Sequence, residues 1–390
     1  MLKINRKYSE NFIAEFCAYV MDDVIQPRLE KFPPEVRRDI AAVFPDAEIV
    51  NILQAEPEML IKKIHHLFLL HPDIAERYCY SYILKDVVLH DEPYNLGLGN
   101  EAEIDIFDTV VARTLAELSK LPSTEHLPLT RYYIDFLAGS AARNKKKKVL
   151  CRLANAKRNH SVVTDKIKAL FPAWINALED VFDYQAVAEK YGYDITQFLE
   201  LDICPYCGIE KIQTYKTAEI EVRPDLDHFY PKTRFPFLAM SIYNLIPSGN
   251  ICNQKHKKNH SMLGYLHPFT EGIDEGVLFV FGYVPDSQVG HTLQVSLNPQ
   301  SSEAKENNLN IFKINPLYNH NNELRRWYAI TKNIASVYKE SGEGIKESVF
   351  LNSIVDLTQP ATCEFAQKYK VDALNDMCGE NLVITQQEHK

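Results

Sequence analysis

Glycine is scarce in this chain, at 14 of 390 residues, and no stretch repeats at a fixed period. Collagen-like and fibrous architectures are therefore excluded. Cysteine is sparse too. Eight are present, and five of them (Cys17, Cys79, Cys151, Cys363 and Cys378) stand alone, which is no disulfide framework and fits a reducing compartment. Long apolar runs are missing: His66-Leu67-Phe68-Leu69-Leu70 is far too short to span a bilayer. The first residues, Met1-Leu2-Lys3-Ile4-Asn5-Arg6-Lys7, lack the apolar core of a signal peptide. A cytoplasmic protein with no membrane segment is expected. Positive charge is also in deficit, with 43 Lys and Arg against 52 Asp and Glu, a net charge of −9. A uniformly basic nucleic-acid coat is excluded, whereas a local basic face on an acidic body is not.

Aromatics are plentiful, with 21 Tyr and 19 Phe, so sizeable cores can form. Residues 1–195 read as a helical region. Phe12, Phe16, Val20 and Val24 recur at helical spacing, as do Leu60, Ile61, Ile64, Leu67 and Phe68, and Glu101 to Leu121 is another amphipathic candidate. Pro33-Pro34, Pro45, Pro57 and Pro72 punctuate these segments. Within this region Arg143, Lys145, Lys146, Lys147, Lys148, Arg152, Lys157 and Arg158 place eight cations in sixteen positions with no acid among them. Such a run is a solvated helix face or a phosphate-contacting patch; its concentration in an acidic chain favours phosphate contact.

From about residue 198 the texture changes. Strand-like runs appear at 218–222, 277–281 and 292–296, and helical stretches are expected at 321–341, 344–357 and 361–374, with a frayed end. The fold class expected is mainly α with a small α+β module, in three parts: a helical region to 195, a module at 196–265, and an α+β extension over 266–390.

The informative part runs from Cys204 to His260. Cys204-Pro205-Tyr206-Cys207 puts two thiols on one tight knuckle, half of a tetrahedral zinc site or else a redox pair. Cys252, 45 residues beyond Cys207, favours zinc. If the segment from Ile251 is helical, His256 lies one turn after Cys252 on the same face and is an allowed fourth ligand. Then follow Asp227-His228-Phe229-Tyr230-Pro231-Lys232, Tyr243-Asn244-Leu245 and Cys252-Asn253-Gln254-Lys255-His256-Lys257, with Asn253 nine residues after Asn244.

This ordered set resembles the zinc-knuckle form of the HNH endonucleases, which are built on the ββα-metal (His-Me finger) fold. The resemblance implies a helical segment carrying Asn253 after two strands, and a metal-dependent nuclease. One departure is visible: Gly249 stands where that family often has the first Cys of its second pair, so the zinc site is completed by His256 or by another residue. The residue types suit phosphodiester hydrolysis independently. A neutral His228 can take a proton from water. Asp227 and Asn253 offer hard oxygens to a Mg²⁺ or Mn²⁺ ion, and Asn244 can brace the loop that orients His228. Lys232, Lys255, Lys257 and Lys258 are candidate phosphate contacts, joined by Arg143, Lys145 to Lys148 and Arg152. Leu266-His267-Pro268-Phe269 and Phe312-Lys313-Ile314-Asn315-Pro316-Leu317-Tyr318-Asn319, with the Asp227 to Lys232 phrase, are similar to HNH nucleases of prokaryotic anti-phage systems of the retron and Septu type, which implies an ATPase partner and a nucleic-acid substrate, DNA first. The alternative is a non-catalytic zinc-knuckle protein that binds nucleic acid or docks a partner.

Overall fold

The computed structural model describes residues 2–89, 98–122, 124–158, 160, 163–273, 276–286, 290–300, 302–341 and 351–379. The chain is mainly helical, with three small antiparallel strand pairs among the described residues. In the N-terminal part the prolines open helices as well as separating them. Pro34, Pro57, Pro72 and Pro128 begin the helices Pro34–Val43, Pro57–Leu70, Pro72–Tyr78 and Pro128–Ala138. The first turn needs no proline N–H, so the residue costs nothing there. Ser9 and Asn100 cap two further helices by accepting from the N–H groups of Phe12 (3.2 Å) and Glu103 (2.9 Å). The periodic residues Phe16, Val20 and Val24 are all buried, along one helical run that passes from Glu10–Tyr19 through the wider π turn Val20–Ile25.

The six strands are β1 (Tyr215–Lys216), β2 (Glu221–Val222), β3 (Asp225–His228), β4 (Leu245–Ser248), β5 (Phe279–Asp286) and β6 (Gly290–Leu297), paired β1–β2, β3–β4 and β5–β6. The strand expected over 218–222 is largely a turn. The Thr217 hydroxyl accepts from the N–H groups of Glu219 (3.2 Å) and Ile220 (3.1 Å), a local bond that competes with a ladder. The helices expected at 321–341 and 361–374 are found at Asn322–Ser341 and Gln367–Cys378. The second starts late because the segment before it docks on the cysteine knuckle: the Thr362 carbonyl accepts from Asp202 and Ile203, and the Ala366 N–H donates to the Gly208 carbonyl. Of the helix expected at 344–357, Leu351–Ile354 is helical; residues 344–350 and the last residues from 380 onward lie outside the described residues.

One continuous apolar cluster runs from Ile4 to Ala373 through all three sequence segments. The loop between β3 and β4 is gripped by the N-terminal helices. Phe68 stacks on Phe235 (5.8 Å) and meets Phe237 edge-on (6.2 Å), Phe44 stacks on Phe237 (6.2 Å), and the Ser241 hydroxyl donates to the Ile52 carbonyl (2.6 Å). The start of the chain is pinned as well: the Leu2 N–H donates to the Pro205 carbonyl (2.6 Å) and the Ile4 N–H to the Pro268 carbonyl (2.8 Å). No helix among the described residues is long and apolar enough to cross a membrane.

Candidate metal centre and catalytic strand

The knuckle is a tight hairpin. Ile203 bridges Lys211, the Cys204 N–H donates to the Glu210 carbonyl (2.8 Å), and the Gly208 N–H donates to the Cys204 carbonyl (2.9 Å). Gly208 has φ +74°, and a side chain there would also meet the Tyr318 hydroxyl at 2.9 Å. That hydroxyl donates to the Cys207 carbonyl (2.8 Å), so the C-terminal extension braces the knuckle from behind.

Cys204, Cys207, Cys252 and Glu210 converge, their ligand atoms all within 4.8 Å of one another, in a cluster that could hold a metal ion. A tetrahedral zinc with arms of ~2.3 Å asks for edges of about 3.8 Å, so the spacing suits it. The fourth donor beside the thiols is Glu210, in place of the expected His256. One carboxylate oxygen, Oε1, accepts from the Ile251 N–H (3.2 Å), and Oε2 is buried with no hydrogen-bond partner. A Cβ on Gly249 would lie 2.0 Å from Oε2. The carboxylate thus fills the space that a side chain at position 249 would take. Burial pushes the Cys204 thiol well up, whereas Cys207 is held well below the ordinary thiol range by the thiols of Cys204 and Cys252. His256 instead lines a cleft alongside Lys258 and His260. Segment Ile251–Lys257 is helical but π-wound, which alters the facing that an α-turn from Cys252 would have given.

β3 and β4 form an antiparallel hairpin in the register Asp225↔Ser248, Leu226↔Pro247, Asp227↔Ile246 and His228↔Leu245, and the Ile251–Lys257 turn follows at once. His228 Nε2 lies 2.9 Å from the Ala239 carbonyl oxygen. A carbonyl only accepts, so Nε2 carries the proton and Nδ1 is left as the basic nitrogen. The Tyr184 ring meets the imidazole in a T-shaped contact, at 4.6 Å between centroids. Burial, then the Lys232 cation, pushes the His228 pKa down to about 3, so the ring is neutral at physiological pH. Asn244 is fully buried. Its Oδ1 accepts from the Tyr230 N–H (2.8 Å), and its Nδ2 donates to the carbonyls of Tyr230 and Leu238 (both 3.0 Å). It clamps the loop whose next residue, Ala239, holds His228.

Asp227 and Asn253, expected to share a cation, have other partners. The Asp227 carboxylate is buried, with Oδ2 accepting from the Tyr206 hydroxyl (2.6 Å) and Oδ1 from the Lys257 ammonium (3.0 Å). Lys257, expected among the phosphate contacts, is 1% exposed and also donates to the His228 carbonyl (2.6 Å). The Asn253 amide turns to Asp225 Oδ2 (3.3 Å), as does Gln254 (3.1 Å). Lys232 and Lys255 are exposed beside the site. The basic strip forms the helix Arg143–Lys157. Arg143 is paired with Asp108 (2.7 Å), Lys145, Lys148 and Arg152 are exposed, and Lys146 and Lys147 are half-buried.

Glu210, Asp225, Tyr184 and Tyr206 were missed in the sequence. Two of them carried a signal. Glu210 follows Cys207 by the same interval that separates the two knuckle cysteines, and Asp225 lies two residues before Asp227, on the same face of the strand. No protein-family model, curated protein or solved structure matches the chain.

Proposed function

We propose that this protein is a metal-dependent endonuclease of the HNH type, with His228 as the general base. The observation that carries the reading is the order β3, buried Asn244 clamp, β4, helical turn. Within it His228 is fixed through Nε2 on a backbone carbonyl and presents a neutral Nδ1. Nδ1 takes a proton from water as the water oxygen bonds to phosphorus. The phosphorus–O3′ bond then breaks, O3′ acquires a proton from solvent, and 3′-hydroxyl and 5′-phosphate ends result. A bound Mg²⁺ or Mn²⁺ would supply positive charge at the phosphate and at the leaving oxygen. Both Asp227 oxygens already have donors, whereas Asn253 and Gln254 both donate to Asp225 Oδ2, so Asp225 Oδ1 and Asn253 Oδ1 are the oxygens that fit such an ion. Cys204, Cys207, Glu210 and Cys252 are the set suited to structural zinc.

A supercoiled-plasmid and labelled-RNA assay with Mn²⁺, Mg²⁺ or EDTA tests this. Cleavage by wild type, lost in EDTA and in His228→Ala, is the expected result; no cleavage of any substrate, with or without an added ATPase partner, overturns it. The anti-phage role and the ATPase partner rest on the sequence resemblance alone. The buried Lys257–Asp227 pair favours the alternative of a non-catalytic nucleic-acid-binding module, since an ammonium already neutralises that carboxylate. Salt-sensitive binding without cleavage, equal in wild type and His228→Ala, would establish that alternative.

A further inference from the structure

The basic strip of the helix Arg143–Lys157 is left unexplained by the catalytic strand, and it leads somewhere. Lys145, Lys148, Arg152 and Asn155 fall at successive intervals of three, four and three residues, so they line one exposed face over about 15 Å. The lower end of that face opens into a cavity of about 170 Å³ lined by Arg152, Asn155, His160 and Tyr133. This cavity shares Arg77, His160 and Val163 with a larger one of about 750 Å³. The larger cavity is also lined by Lys168, Arg234, Lys257 and Lys258, and the Lys257 ammonium donates to the His228 carbonyl (2.6 Å).

The charge along this course is one-sided. Among the described residues lining the larger cavity the carboxylate is Glu179, and it is held between Arg77 (3.1 Å) and Lys168 (3.8 Å). Glu76 in the smaller cavity is turned away, accepting from the N–H groups of Leu129 (2.8 Å) and Thr130 (2.7 Å). Burial, and after it the cations of Arg234 and Lys257, pushes His260 down. Tyr78 lies under the Arg77 guanidinium at 4.5 Å in the larger cavity, and Tyr80 and Tyr133 line the smaller; all three rings are buried.

We infer that this course is the track of a single-stranded polynucleotide. It would run down the Lys145–Arg152 face, through both cavities, and out beside Lys258 toward His228; this names the substrate of the nuclease reading and rests on that reading for what happens at its end. A duplex keeps its bases stacked inside and its phosphates outside, so only its rim could meet cations set within a concave cleft. A single strand can bend along such a concave course and set its phosphates on the cations within it, the backbone-tracking positive groove that single-strand binders use.

The test is fluorescence anisotropy of the full chain with a labelled single-stranded oligonucleotide, its duplex, and ATP as competitor, in EDTA and across salt concentrations. Arg152→Ala/Lys168→Ala changes two cations outside the catalytic strand, and thermal unfolding checks that the variant folds as wild type does. Each lost phosphate contact lowers the salt slope by about 0.7 for a single strand, so the double variant binds about 25-fold more weakly at 0.1 M salt. The single strand is expected to bind more tightly than the duplex, and ATP is not expected to displace it. Preference for the duplex, an unchanged slope in the variant, or displacement by ATP at equal phosphate concentration overturns the track, the last assigning the cavity to a free nucleotide. Binding in EDTA needs no catalysis. Tight single-strand binding with no cleavage in Mn²⁺ therefore refutes the nuclease reading and leaves the track, whereas cleavage with an unchanged Arg152→Ala/Lys168→Ala slope does the reverse.

Discussion

Exchanging the fourth donor of the cysteine cluster between two positions gives a sharp test of that centre. The Glu210 carboxylate stands 2.0 Å from where a Cβ on Gly249 would be, so positions 210 and 249 compete for one volume. Gly249→Cys alone forces two side chains into it, an overpacking that costs about 1–3 kcal/mol, and pushes the carboxylate off the thiols. Glu210→Ala alone leaves three thiols, an unfilled fourth position, and no acceptor for the Ile251 N–H. Combined, Gly249→Cys/Glu210→Ala relieves the clash and supplies a fourth thiolate. The two substitutions are therefore expected to couple favourably, by about 2 kcal/mol or more in denaturant unfolding, against near-zero coupling for independent sites. Zinc content after dialysis against a chelator gives the second readout. Wild type and the double variant should retain about one zinc per chain, and each single variant should lose it at lower chelator concentration, as expected where metal binding adds to folding free energy. Additive unfolding costs, or a Glu210→Ala protein that holds zinc as tightly as wild type, would refute the geometry.

Three further outcomes are expected. Lys257→Met leaves the Asp227 carboxylate buried without its ammonium and should cost about 3–5 kcal/mol of unfolding free energy, most of it recovered in Asp227→Asn/Lys257→Met; a single-variant cost below about 1 kcal/mol would remove the pair from the site's framework. His267 is buried and pushed down to about 3, so the native chain declines a proton that the unfolded chain accepts below about 6.5. Stability present above that pH should fall by about 2 kcal/mol on going to pH 5, and urea unfolding at the two pH values should show a smaller fall in His267→Gln. Glu76→Ala removes the carboxylate that caps the helix Pro128–Ala138 and should lower stability by about 2 kcal/mol; an unchanged denaturation midpoint would count against the cap.

What was legible in the sequence followed the range of the interactions involved. Helices in the first half are written locally, in apolar spacing and proline punctuation, and they appear where those signals fall. The strand pair that carries Asp227-His228 was not among the strand-like runs read from the sequence and was expected only through the family resemblance. Partner choice was not legible. The ammonium that takes Asp227 comes from Lys257, and the carboxylate that joins the thiols comes from Glu210 across the gap at Gly249. Such pairings are decided by which volume is vacant and which charge is buried, and those quantities exist only once the loops have closed. The short strand expected at 218–222 failed for the opposite reason, because a single threonine hydroxyl offered the backbone a nearer partner.

The pinned start of the chain sets a timetable during synthesis. Leu2 and Ile4 leave the ribosome well before their backbone partners, Pro205 and Pro268, are made. At roughly 5–20 residues per second the interval from Ile4 to Pro268 lasts about 13–50 s. Through that time the early helices lack the aromatic loop that fills the space between them, and the His228 strand is not yet braced. The protein would complete its candidate site late, through contacts of high sequence separation that fold slowly. A growing chain would lack the braced site until the C-terminal part of the core has emerged.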